Sequence, residues 1–371
     1  MNNEIMPFVN LQKQYIHYKS EIDQAIKDVI EETAFISGKY ARLFENEFAN
    51  VYGVKNCITT ANGTDSLYII MKALEIGVGD EVITVCNSWI SSSETISQTG
   101  AKPIFVDIEE KTHSINTKLI EENITENTKA ILAVHLHGQM CQIDEICKIA
   151  KKFDIPVIED CAQSHFSSLK GVNAGLFGVA GSFSFYPGKN LGAFGDAGCI
   201  ITNNDELADK MRRFANHGSL KKHEHKIEGI NSRMDGIQAN ILRVKLKYIH
   251  EWNTLRQKKA DLYSKLLSEL NDYISSPVIR KDSNHTFHVY QIETIRRNSL
   301  RRHLADNGIP TAIHYPKPLP FLDCYKKYGY NENQFPVVSK LNKNILSLPI
   351  CPEISDEEIE IVCKTIKGFF K

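Results

Sequence analysis

Three things are missing from this sequence, and each absence removes a class of protein. No apolar run approaches the roughly 18 residues that a membrane-spanning helix needs. No Cys-x-x-Cys pair occurs, and the nine cysteines are odd in number, which fits reduced thiols and not a disulfide framework. Neither sign of charge prevails: 44 Lys and Arg stand against 45 Asp and Glu, a formal net charge of −1. Nothing in that balance draws the chain toward nucleic acid or an anionic membrane surface. The opening Met1-Asn2-Asn3-Glu4 lacks the basic and apolar regions of an export signal, so a soluble, cytoplasmic protein is expected. The histidine pairs 135/137, 223/225 and 285/288 come without a third ligand at recognisable spacing, and no metal is expected.

What is present is ordinary globular material. The 371 residues are 42% hydrophobic and 24% charged, about twice the length of one domain, so two domains are expected. Between about residues 57 and 202, short β-rich runs alternate with helix-period stretches. The runs are Cys57–Thr60, Glu81–Val85, Pro103–Val106, Ala130–Val134, Pro156–Glu159, Ser182–Phe185 and Cys199–Thr202. Asp65–Leu74 and Ile143–Phe153 read as helices; in the second, Ile143, Ile146, Cys147 and Ala150 share one face. This alternation predicts an α/β fold with a mostly parallel central sheet covered on both sides. Residues 235–270 read as one long helix or two joined ones. Beyond Asn271 the texture changes to short strands such as Phe287–Ile292, a helix near Leu300–Asn307 and the proline-rich Pro310–Pro320. The expected division is a large domain over 1–250 and a smaller C-terminal α+β domain over 251–371.

The densest chemical signal is Gly171 to Gly198, where eight of the 21 glycines fall within 28 residues. Glycine at that density lets backbone turn sharply or approach a ligand. In its midst Phe185-Tyr186-Pro187-Gly188-Lys189 ends an apolar strand in a turn. A lysine held there sits in a partly dry pocket, where desolvation lowers its pKa and frees the amine for Schiff-base chemistry. A nucleotide P-loop is excluded, because Gly181 lies seven residues before Gly188 and Asn190 stands where Ser or Thr would hold magnesium. Twenty-nine residues upstream of the lysine, Pro156-Val157-Ile158-Glu159 ends in Asp160. A strand-end aspartate can simply cap a helix, but opposite a pyridine nitrogen it keeps that nitrogen protonated and the ring an electron sink. Earlier still, Asn62-Gly63-Thr64-Asp65 joins a strand to a helix, and free N–H groups there form a phosphate cup. A cup, a strand-end acid and a lysine on a glycine-rich loop are what pyridoxal phosphate requires.

With those residues in that order, the chain resembles the DegT/DnrJ/EryC1/StrS family of sugar aminotransferases, within the aspartate-aminotransferase-like fold. The likeness runs from Pro7-Phe8-Val9-Asn10-Leu11 to His314-Tyr315-Pro316. It is most specific at Asn62–Asp65, Glu159–His165, Phe183–Gly198 and Asn231-Ser232-Arg233-Met234-Asp235. The resemblance implies pyridoxal 5'-phosphate as cofactor, with pyridoxamine 5'-phosphate as its intermediate form. Lys189 would bind it covalently and act as acid and base, Asp160 would pair with the pyridine nitrogen, and Gln163 would bond the ring's 3-hydroxyl. Gly63, Thr64 and Ser184 would hold the phosphate, joined by Asn231 from a neighbouring subunit, and Trp89 would stack on the ring. A homodimer with shared sites follows from that role of Asn231.

The resemblance also implies a nucleotide-sugar substrate and L-glutamate as amino donor. It is nearest to enzymes that aminate dTDP-linked 3-keto-6-deoxyhexoses, on the strength of His135-Leu136-His137-Gly138-Gln139-Met140 and the Phe-Tyr-Pro-Gly-Lys-Asn loop. The alternatives are amination at C4, a sugar dehydratase (against which Lys189 argues) and a catalytically silent sensor of cofactor or sugar. Tyr186, His217, His314 and Tyr315 are candidates for contact with the sugar nucleotide, and the basic cluster Lys221, Lys222, His223, His225 and Lys226 for its diphosphate. Two residues depart from the family pattern. Phe166 stands where glycine is common, which implies a narrower pocket beside the cofactor, and His137 stands where C3-type relatives often carry Tyr.

Overall fold

The computed structural model describes residues 6–371; Met1–Ile5, on which the export-signal expectation rests, lie outside them. The runs forecast as strands are strands, to within two residues at either end. They are β1 (Asn56–Thr60), β2 (Glu81–Val85), β3 (Lys102–Val106), β4 (Thr128–Val134), β5 (Val157–Asp160), β8 (Ala180–Ser184) and β9 (Gly198–Thr202). The two-residue strands β6 (Ser168–Leu169) and β7 (Val172–Asn173) pair to the side with β10 (Ser283–Asn284). The main sheet runs in the order β1-β9-β8-β5-β4-β2-β3. It is parallel except for β9, which is antiparallel to both neighbours. The reason lies in the connection: parallel strands need a long crossover, usually helical, whereas residues 185–197 return from β8 to β9 without one. That return carries Lys189.

Helices α1 (Leu11–His17), α2 (Lys19–Glu31) and α3 (Gly38–Tyr52) precede the sheet. They are followed by α4 (Gly63–Ala73), α5 (Ser91–Thr99), α6 (Ile143–Lys152) and α7 (Asp205–Ala215). Local chemistry sets their ends. Asn62 caps α4 by accepting from Asp65 N, and Asp144 and Glu145 open α6 while Lys151 and Lys152 close it, charges that complement the helix dipole. The stretch over 235–270 is two helices, α8 (Gly236–Leu246) and α9 (Ile249–Leu267). After them come β11 (Tyr290–Glu293), α10 (Arg297–Asp306), α11 (Pro336–Leu341), β12 (Ile345–Leu348) and α12 (Asp356–Phe370), with β11 and β12 paired antiparallel.

Alternation along the strands feeds two cores. Ile131 and Ala133 of β4 pack on one face with Phe44, Phe48, Phe183 and Leu242. Ala130 and Leu132 pack on the other with Leu67, Ile70 and Met211, as a period of two requires. A third core gathers Tyr263, Tyr290, Leu300, Leu346 and Val362. Helix α9 serves two of them, with Trp252 in the first and Ala260 and Tyr263 in the third. Among the described residues no helix is long and apolar enough to cross a membrane.

Candidate active site

A cavity of about 450 Å³ opens where the strands end, and Asn62, Gly63, Thr64, Trp89, Asp160, Gln163, Ser184, Tyr186, Lys189 and Tyr315 all line it. Residues up to 253 positions apart in sequence therefore meet, as carboxyl ends of strands in such sheets predict. A larger groove of about 700 Å³ beside α2 and α8 is lined by the pairs Arg243–Glu47 and Lys247–Glu21, whose charges already satisfy each other.

One end of the cavity is a cup of donors. Gly63 opens α4 so close to β8 that a Cβ there would lie 2.7 Å from Cβ of Ser184. Gly198 of β9 supports the same turn from behind, where an added Cβ would lie 2.6 Å from Asn62 O. The hydroxyls of Thr64 and Ser91 are 2.7 Å apart, and Ser184 lines the same wall. Helix-start N–H groups beside hydroxyls suit a phosphate.

At the end of β5, Asp160 is 6% exposed. Its Oδ2 accepts from Ser92 Oγ at 2.9 Å and its Oδ1 from Ala162 N at 3.1 Å, while Ser88 and Ser92 share a 2.8 Å hydrogen bond. The carboxylate is thus held from α5. The preceding Glu159 faces the other way. It accepts backbone N–H groups of Gly175, Phe177 and Gly178 and bonds His135 Nε2 at 2.8 Å. His135, Glu159 and Cys161 offer ligand atoms close enough for a metal, but both carboxylate oxygens are spent on these bonds.

Lys189 sits on a tight turn in which its N–H donates to Tyr186 O at 2.8 Å and a Cβ on Gly192 would strike Pro187 O at 2.3 Å. The residue is half-buried and lines the cavity. Burial pushes its amine down to about 8, with Asp160 pulling the other way. From behind, the buried Lys245 of α8 donates to Gly192 O at 2.7 Å and Gln238 Oε1 accepts from Phe194 N at 2.8 Å. Gln163 accepts from His137 N at 2.7 Å and donates to Tyr315 OH at 2.8 Å. The indole of Trp89 is 58% exposed, with its ring 5.8 Å from that of Tyr315. It is no core tryptophan.

Other expected contacts lie elsewhere. His314 bonds Ser347 Oγ at 2.8 Å and stands beside Tyr315 without lining the cavity; burial and then Lys189 push it down to about 4. His217 is outside the cavity, with its carbonyl accepting from His225 Nδ1 at 2.7 Å. The basic cluster over 221–226 is exposed. Asn231 is exposed and outside its own chain's cavity. Phe166 corrects the expectation of a narrowed pocket. Its ring is buried against Phe48, Tyr52 and His250. Its φ of 59° lies where glycine is at ease, which accounts for glycine at that position without reference to any ligand. The His137 ring also points away, into a small polar cavity with His113 and His285.

Sequence reading missed Ser88, Ser91, Ser92 and Asp196, all at or against the cavity. The three serines follow β2 directly, so the carboxyl-end rule that found Trp89 applied to them too. The donor set fits a phosphorylated pyridine aldehyde: a phosphate cup, an acid, an amine of lowered pKa and an exposed ring to stack on. The model of the DegT/DnrJ/EryC1/StrS aminotransferase family matches residues 17–367.

The chain belongs to that family.

Like other DegT/DnrJ/EryC1/StrS aminotransferases it is a pyridoxal-phosphate enzyme acting on sugar nucleotides. It is 40% identical to the dTDP-3-amino-3,6-dideoxy-alpha-D-galactopyranose transaminase of Aneurinibacillus thermoaerophilus, over 98% of this chain and 99% of that one. It is equally 40% identical to a pleiotropic regulatory protein of Geobacillus stearothermophilus, over 99% of both. Among solved structures it matches S. venezuelae DesV in complex with a ketimine intermediate. There the TM-score is 0.95 at 35% identity, with 98% of each chain covered. The family fold is the one forecast, a mostly parallel sheet bearing a lysine on the return from β8.

Proposed function

We propose that this enzyme converts a dTDP-linked 3-keto-6-deoxyhexose to its 3-amino-3,6-dideoxy form, with L-glutamate as amino donor. The sugar is suggested by the Aneurinibacillus relative. The chemistry rests on one observation: the amine of Lys189, lowered to about 8, shares a cavity with the buried Asp160 and the cup at Gly63.

Pyridoxal phosphate, when bound, delocalises the electron pair left as a C–H bond beside nitrogen breaks. The protein supplies the rest. Gly63, Thr64 and Ser184 anchor the phosphate, with Asn231 of a second subunit completing the cup. Asp160, held in place by Ser92 Oγ and Ala162 N, would pair with the pyridine nitrogen. Gln163 would donate to the ring oxygen and Trp89 would cover one ring face. Lys189 Nζ would take a proton from the α-carbon of glutamate, whose electron pair and amino group would pass to the bound cofactor while water supplies the oxygen of the departing 2-oxoglutarate. In the return half Lys189 would deliver a proton to the sugar carbon that has gained nitrogen. Such positioned proton transfer is worth about 10²–10⁴-fold. Tyr186, 59% exposed at the mouth, is placed for the sugar.

A homodimer belongs to the proposal. Ile36 and Phe194 are exposed apolar side chains beside the start of α8, and a second subunit would cover them. The test is a panel of 3-keto and 4-keto nucleotide sugars with glutamate, the products weighed by mass spectrometry and located by NMR. Amine at C3 is expected. Amine at C4 alone would refute the substrate and leave the chemistry standing.

A further inference from the structure

The amide of Gln163 is held at both ends, and the two contacts are chemically unequal. A backbone N–H can only donate, so the atom facing His137 N is the amide oxygen, and the NH₂ lies on the Tyr315 side. That nitrogen carries two N–H groups. One goes to the Tyr315 hydroxyl; the other has no partner among the described residues, and Gln163 lines the cavity. His137 contributes only backbone. Its φ of 62° turns its N–H toward Gln163, while its ring occupies the separate small cavity of about 30 Å³.

Tyr315 reaches in from the last sixth of the chain. Its carbonyl accepts from Asn342 Nδ2 at 2.9 Å, and its ring lies against Trp89. Burial raises the phenol above its ordinary value, and Asp160 adds to the rise. The hydroxyl is therefore protonated at neutral pH and available as an acceptor. The charged groups facing it are Asp160 at the end of β5 and Lys189 on the β8–β9 return, with His314 beside it held neutral.

We infer that Tyr315 is a positioning residue: its hydroxyl, with the His137 N–H opposite, locks the Gln163 amide so that a donor faces the cofactor's ring oxygen. This rests on the proposed seating of pyridoxal phosphate in the cavity, and it gives Tyr315 a role apart from the sugar. Without the hydroxyl, one anchor remains and the amide can swing.

The experiment uses Tyr315→Phe in the holoenzyme with no sugar present. One hydrogen bond corresponds to roughly 2- to 10-fold, so pyridoxal phosphate should dissociate about that much more readily. The midpoint of its pH-dependent absorbance change should move to higher pH, because a lost donor at the ring oxygen leaves the shared proton harder to remove. Gln163→Ala should show the same shift, and the double variant no more than Gln163→Ala alone. Retention and spectrum like the wild type would overturn the inference. A wild-type chain that takes up no pyridoxal phosphate would overturn the proposed function as well.

Discussion

Ser92 donates to Asp160 at 2.9 Å across 68 residues of chain, from the second residue of a helix to the last residue of a strand. Both side chains are buried, and the bond fixes where the carboxylate points into the cavity. Ser92→Ala should therefore keep the fold and lose about 10- to 150-fold in kcat, which is what roughly 1.5–3 kcal/mol for a hydrogen bond to a charged group amounts to. Steady-state kinetics at saturating glutamate checks it; an unchanged kcat would make the contact structural only.

The lowered pKa of Lys189 gives a pH dependence with a definite sign. At pH 7.5 an amine of pKa about 8 is about a quarter free base, whereas an ordinary lysine is about 0.1% free. Reductive trapping of the apoenzyme with pyridoxal phosphate and borohydride should label Lys189 first, with the rate climbing as pH rises through about 8. Lys245 also lies near 8, again through burial, but its amine is closed in against Gly192 O, so it should stay unlabelled. Peptide mass mapping distinguishes the two lysines.

Gly63 has no room for a side chain. Gly63→Ala should weaken retention of pyridoxal phosphate at least tenfold, because the 2.7 Å approach to Ser184 would force the two walls of the cup apart. Overpacking costs about 1–3 kcal/mol, so a modest fall in Tm accompanies it. Equilibrium dialysis against free cofactor measures the first effect and calorimetry the second.

Phe166→Gly should separate stability from activity. Removing the ring costs about 3–5 kcal/mol, and relieving the left-handed backbone returns about 1–2 kcal/mol. A net loss near 2–3 kcal/mol is expected, with KM for the sugar within twofold of the wild type. A large KM change would restore Phe166 to the pocket.

The sheet was readable because its strands are short, β-branched and bounded by turn residues, and the lysine loop because glycine is so dense there. The antiparallel course of β9 was not, since nothing in Gly198–Thr202 states its direction; that follows from the helix-free return before it. The serines after β2 carry no periodicity and no charge, and only the end of β5 gives Ser92 its meaning. Phe166 misled for a related reason. A glycine position can reflect backbone geometry as easily as space for a ligand, and φ is invisible in sequence.

Helix α9 starts with Trp252 in the core beside the sheet and continues with Tyr263 in the C-terminal one. A rod shared in this way couples melting across the molecule, because neither half can loosen without unseating the helix the other half needs. It also constrains recombination between relatives: a crossover before, within or after α9 severs one of its packed faces. Chimeras built there inherit a mismatched seam, and exchanging sugar preference by swapping halves will require repacking that helix as well.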